Sequence, residues 1–131
     1  MKTPSEFIQE WIETVCSNDA SKIANLYQED AILLGTLDKS VREGRNKIRE
    51  YFDFFVKLKP CGEITELVEK NYGNGRFCVV NGTYDFNLEE DGKQSVAPAR
   101  FTFVLERTGV KWMIQSHHSV SYTHLTLPTK A

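Results

Sequence analysis

The sequence predicts a single α+β domain, with three helices first and an antiparallel sheet after them. Up to residue 57 the apolar residues recur every three to four positions, the period of an amphipathic helix. Beyond residue 60 they alternate with polar residues, the period of a β-strand. The length of 131 residues suits one domain, and 40% hydrophobic residues suffice for a core without disulfides or a structural metal. Helices followed by antiparallel strands are typical of the α+β class.

The N-terminal half contains three predicted helices and one strand. The first helix covers residues 5–17, with Ser5 as its N-cap and an aromatic face. The second covers residues 20–28, where Tyr27 shares a side with earlier apolar residues. A buried strand follows at residues 31–35, and the third helix covers residues 45–57.

Four longer strands account for the C-terminal half. We place them at residues 63–71, 76–88, 97–106 and 111–119. Turn signals separate them at Gly73-Asn74-Gly75, Glu90-Asp91-Gly92 and Thr108-Gly109. The strands therefore form an antiparallel meander.

Charge and hydropathy argue against two classes of partner. Lys and Arg number 16 against 18 Asp and Glu, a net charge of −2, with no basic stripe for nucleic acid. The N-terminus has no apolar signal region, and no stretch approaches the roughly 20 apolar residues that span a bilayer. We therefore expect a cytoplasmic protein that binds neither nucleic acid nor membrane.

The three cysteines, Cys16, Cys61 and Cys78, are odd in number and far apart. No pair has the C-x-x-C spacing of a thiolate zinc site. We expect buried free thiols.

The last twelve residues, 120–131, break the strand pattern without a cap or a turn. They resemble the translated read-through of a sequencing-library transposon adapter. We therefore place the domain at residues 1–119, treat residues 120–131 as a non-native tail, and exclude His124 from any site. Reading the gene from unfragmented DNA would test this.

Five segments carry a resemblance to known families. They are Leu34-Gly35-Thr36-Leu37, Tyr51-Phe52, Ala99-Arg100-Phe101-Thr102-Phe103, Lys111-Trp112 and His117-His118-Ser119. The order of elements resembles the cone-shaped nuclear-transport-factor-like (SnoaL-like) fold, and the motifs resemble the calcium/calmodulin-dependent protein kinase II association-domain family. Within it, the chain is most similar to iota-class carbonic anhydrases, whose pattern has a second serine where this chain has Val120.

The resemblance implies the reversible hydration of carbon dioxide without a metal or other cofactor. By resemblance, Thr36, Tyr51 and Ser119 hold bicarbonate and orient the attacking water. His117 or His118 would be the proton shuttle, and alternation along a strand lets only one of them enter a given pocket. A three-histidine zinc site is not expected, since the chain has three histidines in total and one lies in the tail.

Arg100 is a predicted substrate-binding residue, because it interrupts an apolar strand. If it points into the pocket, its guanidinium binds bicarbonate or a small carboxylate, or else pairs with Glu66 or Asp85. Tyr84 is a further pocket candidate. Thr36 and Tyr51 also have a purely structural interpretation, as the end of a strand and a core aromatic.

Two other functions remain open. One is an oligomerisation domain that binds small carboxylates, as the kinase association domain does. The other is a ketosteroid-isomerase-like or polyketide-cyclase enzyme, for which Asp30 and Asp85 are the available bases. In every case the fold predicts at least a homodimer.

Overall fold

The computed structural model describes residues 1–122, which form three α-helices and a six-stranded sheet. The helices are α1 (Pro4–Cys16), α2 (Ala20–Ala24) and α3 (Arg45–Phe55), and a one-turn 3₁₀-helix (Val56–Leu58) follows α3. The strands are β1 (Tyr27–Leu34), β2 (Arg42–Glu43), β3 (Cys61–Tyr72), β4 (Phe77–Glu90), β5 (Lys93–Thr108) and β6 (Lys111–Ser121). The predicted α+β class is confirmed.

The strands lie in the order β2-β1-β6-β5-β4-β3 in one curved sheet. The β3 to β6 meander is antiparallel, as predicted, but β1 pairs with β6 in parallel. Leu33 lies opposite His117, and Leu34 lies opposite His118. This pairing brings the segment after β1, which carries Thr36, next to the end of β6.

The helices cover one face of the sheet, which we call the inner face. Tyr84, Phe86, Phe101 and Phe103 point from this face into the core and are at most 5% exposed. Trp11 of α1 packs against three of them, with ring centroids 5.2 to 6.0 Å apart. The core is therefore strongly aromatic where the sheet meets α1.

The first helix begins one residue before its predicted N-cap. Thr3, not Ser5, caps it: the Thr3 hydroxyl accepts from the Glu6 N–H, and the Glu6 carboxylate accepts from the Thr3 N–H. The segment Thr3-Pro4-Ser5-Glu6 is a capping box with proline in the first turn.

Tyr27 was predicted on the second helix but begins β1. Helix α2 ends at Ala24, and the backbone then turns to pair with β6, where the Ile114 N–H donates to the Leu26 carbonyl at 2.9 Å. The Arg45 guanidinium donates to the Tyr27 carbonyl at 2.7 and 3.0 Å. These tertiary contacts outweigh the local helical spacing and turn the Tyr27 ring into the core.

Strand β6 runs two residues beyond its predicted end. Val120 lies opposite Arg100 and Ser121 opposite Ala99, and the Tyr122 N–H donates to the Pro98 carbonyl. Most of the predicted tail, His124 included, lies outside the described residues. Its non-native origin stays a prediction.

The expectation of three free thiols is wrong. Cys16, at the end of α1, forms a disulfide with Cys61, the first residue of β3, while Cys78 is a buried free thiol as predicted. The two residues are 45 positions apart in sequence, but α1 packs along β3 and brings their Cα atoms to 4.3 Å. Spacing in sequence gave no sign of this contact. Over residues 1–122, no helix has the length and apolar character needed to cross a membrane.

Candidate functional site

A small inner cavity lies between the inner face of the sheet and helices α1 and α3. It is lined by Trp11, Leu33, Gly35, Thr36, Tyr51, Phe52, Phe55, Tyr84, Phe86, His117 and Ser119. The room left for the centre of a water molecule is about 10 Å³, roughly what one water needs. The walls are mostly aromatic, and the polar groups are hydroxyls and one imidazole.

His117 occupies the deepest polar position and is 2% exposed. Its ring stacks on Phe103, with centroids 3.8 Å apart, and forms a T-shaped pair with Trp11, with centroids 5.1 Å apart. Its Nδ1 lies 2.8 Å from the Tyr27 hydroxyl, and its Nε2 lies 3.1 Å from the Tyr84 hydroxyl. Both ring nitrogens are therefore engaged within the core.

Hydroxyl groups continue this network from His117 towards the surface. Tyr84 donates to Ser119 at 2.6 Å, and the Ser119 hydroxyl is in close hydrogen-bond contact with the Thr36 hydroxyl. At the inner end the Trp11 indole donates to the Tyr27 hydroxyl at 3.2 Å. We call the series Trp11, Tyr27, His117, Tyr84, Ser119 and Thr36 the hydrogen-bond chain.

Burial fixes the charge of the groups in the chain. The pKa of His117 is lowered to about 3, chiefly because burial penalises the imidazolium and secondarily because His118 is close in sequence and space. Burial also raises the pKa of Tyr84, although its bond to Ser119 opposes the shift. At neutral pH the groups of the hydrogen-bond chain are therefore uncharged, and His117 does not take up a proton as a free shuttle would. The sequence predicts His117 or His118 as the shuttle, and the contacts of His117 favour His118; the role itself stays a prediction.

Tyr51 lines the inner cavity but is not part of the hydrogen-bond chain. Its hydroxyl accepts from the Leu37 N–H at 3.4 Å, and burial raises its pKa to about 12. The ring lies over Gly35, where a Cβ atom would come within 2.6 Å of it. Glycine at position 35 therefore allows the Tyr51 ring to reach the cavity wall.

Thr36 and Ser119 separate the inner cavity from an open outer cavity of about 280 Å³. Besides these two residues, His118, Asp38 and Lys39 line the outer cavity. The Arg42 guanidinium bonds to Asp38 at 2.5 Å and lowers the pKa of that carboxyl. We call the Thr36–Ser119 contact the mouth, since both residues line both cavities.

His118 and Arg100 lie on the outer face of the sheet. Both are exposed, and together with Thr102 and Val120 they line a shallow depression. Side chains alternate along β5, and Arg100 lies on the side away from the inner cavity. The prediction that its guanidinium joins the hydroxyls is wrong, because Phe101 and Phe103 occupy the inward positions.

The predicted ion pairs and carboxylate bases are not at the inner cavity either. Within residues 1–122, Arg100 has no ion pair with Glu66 or Asp85, and its exposure removes the need for one. Asp85 follows Tyr84 on β4 and so points to the outer face, and Asp30 is exposed. Over the same residues, no three or more His, Cys, Asp or Glu side chains come close enough to hold a metal ion.

The structure thus brings together Thr36, Tyr51, Tyr84, His117 and Ser119 and leaves His118 on the outer face, where it lines the outer cavity. Sequence reasoning missed Trp11 and Tyr27. Their spacing indicates apolar helix faces. The β1–β6 pairing is what brings the Trp11 indole N–H and the Tyr27 hydroxyl into hydrogen bonds with each other and with His117.

Comparisons with known proteins identify similar sequences and folds. Residues 4–123 match the family model described as the calcium/calmodulin-dependent protein kinase II association domain. No match was found among curated proteins. A structure from Xanthomonas campestris, named for the same association domain, is 33% identical with a TM-score of 0.87, over 92% of this chain and 86% of that chain.

Two more distant structures share the fold alone. An NTF2-like protein with a cystatin-like fold from Novosphingobium aromaticivorans is 14% identical, with a TM-score of 0.76, over 92% of this chain and 80% of that one. The epoxide hydrolase/cyclase-like enzyme SalBIII is 23% identical, with a TM-score of 0.66, over 89% and 88%. The cone-shaped fold therefore occurs in enzymes.

Proposed function

The chain belongs to the calcium/calmodulin-dependent protein kinase II association-domain family, and we propose that within it this protein is a carbonic anhydrase. The proposed reaction is the reversible hydration of carbon dioxide to bicarbonate, catalysed by hydroxyl groups rather than by a bound metal. The observation that carries the proposal is the mouth, where the Thr36 and Ser119 hydroxyls meet between an aromatic inner cavity and the outer cavity.

The size and polarity of the inner cavity favour a very small substrate. Room for about one water favours a very small molecule over a steroid or a polyketide. Carbon dioxide is small and apolar and suits the walls formed by Leu33, Phe52 and Phe86. A ketosteroid-isomerase-like reaction would also need a carboxylate base, and neither Asp30 nor Asp85 lines this cavity.

The mechanism follows from the groups at the mouth. Attack of a water oxygen on carbon dioxide forms bicarbonate and releases one proton, and negative charge develops on the oxygens. Thr36 and Ser119 are placed to donate to those oxygens at the boundary between the two cavities. Tyr51 lines the same cavity, and its hydroxyl accepts from the Leu37 N–H beside Thr36, so its ring limits where carbon dioxide can lie.

The released proton needs an acceptor outside the core. His117 is held neutral with both nitrogens occupied. His118 is exposed and lines the outer cavity beside Thr36 and Ser119. We therefore assign the shuttle to His118, which passes the proton to solvent. Arg100 shares the depression with His118 and would attract bicarbonate outside the mouth, a role in binding rather than in chemistry.

Assembly is the second candidate function, and the family membership favours it. Val68, Val96 and Val120 are 66, 58 and 39% exposed on the outer face of the sheet. A second copy of the chain that covers this face would bury them, which supports the proposed homodimer or larger ring.

Stopped-flow hydration of carbon dioxide by chelator-treated protein separates the candidates. We expect full activity after exhaustive chelation and no gain on adding zinc. Loss of activity on chelation, restored by zinc, would contradict the metal-free mechanism. No activity, together with a large ring in light scattering, would leave assembly as the function.

A further inference from the structure

The inner end of the hydrogen-bond chain determines which way its protons point. We infer that Trp11 and Tyr27 are positioning residues: they hold His117 in its Nε2–H tautomer and so direct every hydroxyl proton of the chain towards the mouth. The expected effect of this tautomer on catalysis rests on the proposed function. The tautomer itself follows from hydrogen-bond geometry alone.

At the inner end of the hydrogen-bond chain, the Trp11 indole can only donate a hydrogen bond. The Trp11 Nε1–H donates to the Tyr27 oxygen at 3.2 Å, so Tyr27 accepts there. The single proton of Tyr27 then has His117 Nδ1, at 2.8 Å, as its acceptor. A protonated Nδ1 would aim a second donor at the same oxygen and leave a buried hydroxyl proton without an acceptor, which is costly.

The hydrogen bonds at the outer end are consistent with the same tautomer. Tyr84 donates its one hydroxyl proton to Ser119, at 2.6 Å. Its 3.1 Å contact with His117 Nε2 must therefore be a bond that it accepts, so Nε2 carries the proton. With this tautomer every bond has one donor and one acceptor, and none of the buried polar side-chain atoms over residues 1–122 is without a partner.

The direction of the hydroxyl protons in the hydrogen-bond chain determines which group faces the substrate at the mouth. While the mouth is closed, Ser119 accepts from Tyr84 and has its own proton to give to Thr36, which leaves the Thr36 proton for the substrate. When a substrate oxygen lies between the two hydroxyls, both protons are available to it. Bonds aligned in one direction polarise one another and strengthen the last donor. The site therefore presents a donor, suited to an oxygen of carbon dioxide or bicarbonate, and does not present a base.

Nitrogen-15 NMR of histidine-labelled protein tests the inference, because Nδ1–H and Nε2–H tautomers have distinct spectra. The His117 signals are identified by their loss in His117→Gln. We expect only the Nε2–H tautomer in the unmodified protein. Tyr84→Phe should keep that tautomer, since Tyr27 still donates to Nδ1. Tyr27→Phe keeps the ring that packs on Phe52 but should give a mixture of tautomers, with carbon dioxide hydration about tenfold slower.

Tyr51→Phe is the matched control, since it removes a buried hydroxyl from the same cavity but from outside the chain. It should leave the His117 tautomer unchanged. An Nδ1–H tautomer in the unmodified protein would overturn the inference. So would a change of tautomer in Tyr84→Phe but not in Tyr27→Phe, because the outer end would then set the direction. The NMR measurement involves no carbon dioxide, so absent hydration with the expected tautomer would overturn the proposed function alone.

Discussion

Replacing Thr36 with valine is expected to lower kcat/KM for carbon dioxide hydration by about 100-fold, the usual effect of losing one donor to a developing oxyanion. Valine keeps the shape of threonine and removes only the hydroxyl at the end of the hydrogen-bond chain. Ser119 then has no hydroxyl to donate to, so the hydrogen bond between these two residues at the mouth is lost as well. Stopped-flow kinetics with a pH indicator measure the effect.

Thr36→Ser is the matched control, because it keeps the hydroxyl and loses only a methyl group. It should stay within a few-fold of the unmodified protein. Both variants should melt close to the unmodified temperature, since Thr36 is only partly buried. Equal losses of activity in the two variants, or losses that follow the melting temperature, would show that Thr36 has a structural role.

Loss of the Cys16–Cys61 disulfide is expected to lower the free energy of unfolding by about 2 to 4 kcal/mol. The bond closes a loop of 45 residues, and the constraint on the unfolded chain accounts for most of the gain. For a domain of this size we expect the melting temperature to fall by about 10 °C. Thermal unfolding with and without reductant measures the change.

The double variant Cys16→Ser/Cys61→Ser is the control, and reductant should leave its melting temperature unchanged. Thiol titration of the unreduced, denatured protein should find one free thiol, that of Cys78. Three free thiols would contradict the disulfide. A cytoplasmic location stays a prediction, and the bond would be more usual in an oxidising compartment than in the reducing cytosol.

Local periodicity was enough to predict the helices and the long strands. Helix α3 and the β3–β6 meander depend on apolar spacing and on glycine turns, which are properties of neighbouring residues. Tyr27 was misplaced because its backbone pairs with β6, far away in sequence, through Leu26 and Ile114. The Cys16–Cys61 contact was missed for the same reason.

For the site, the alternation of side chains along a strand correctly predicts that His117 and His118 lie on opposite faces, but it does not determine which of them faces the core. The stacking of His117 on Phe103 decides this, and it depends on the register of β5 against β6. The same register places Arg100 outside, because Phe101 lies inward. Thr36, Tyr51 and Ser119 were proposed from resemblance, and the structure brings all three to the wall of one cavity.

The central claim is that hydroxyl groups at the mouth hold a small anion, and a crystal structure of the protein soaked in bicarbonate tests it most directly. We expect bicarbonate between Thr36 and Ser119, with both hydroxyls moved apart and each donating to one of its oxygens. Bicarbonate bound only beside Arg100 on the outer face, with the Thr36–Ser119 contact still closed, would contradict the claim.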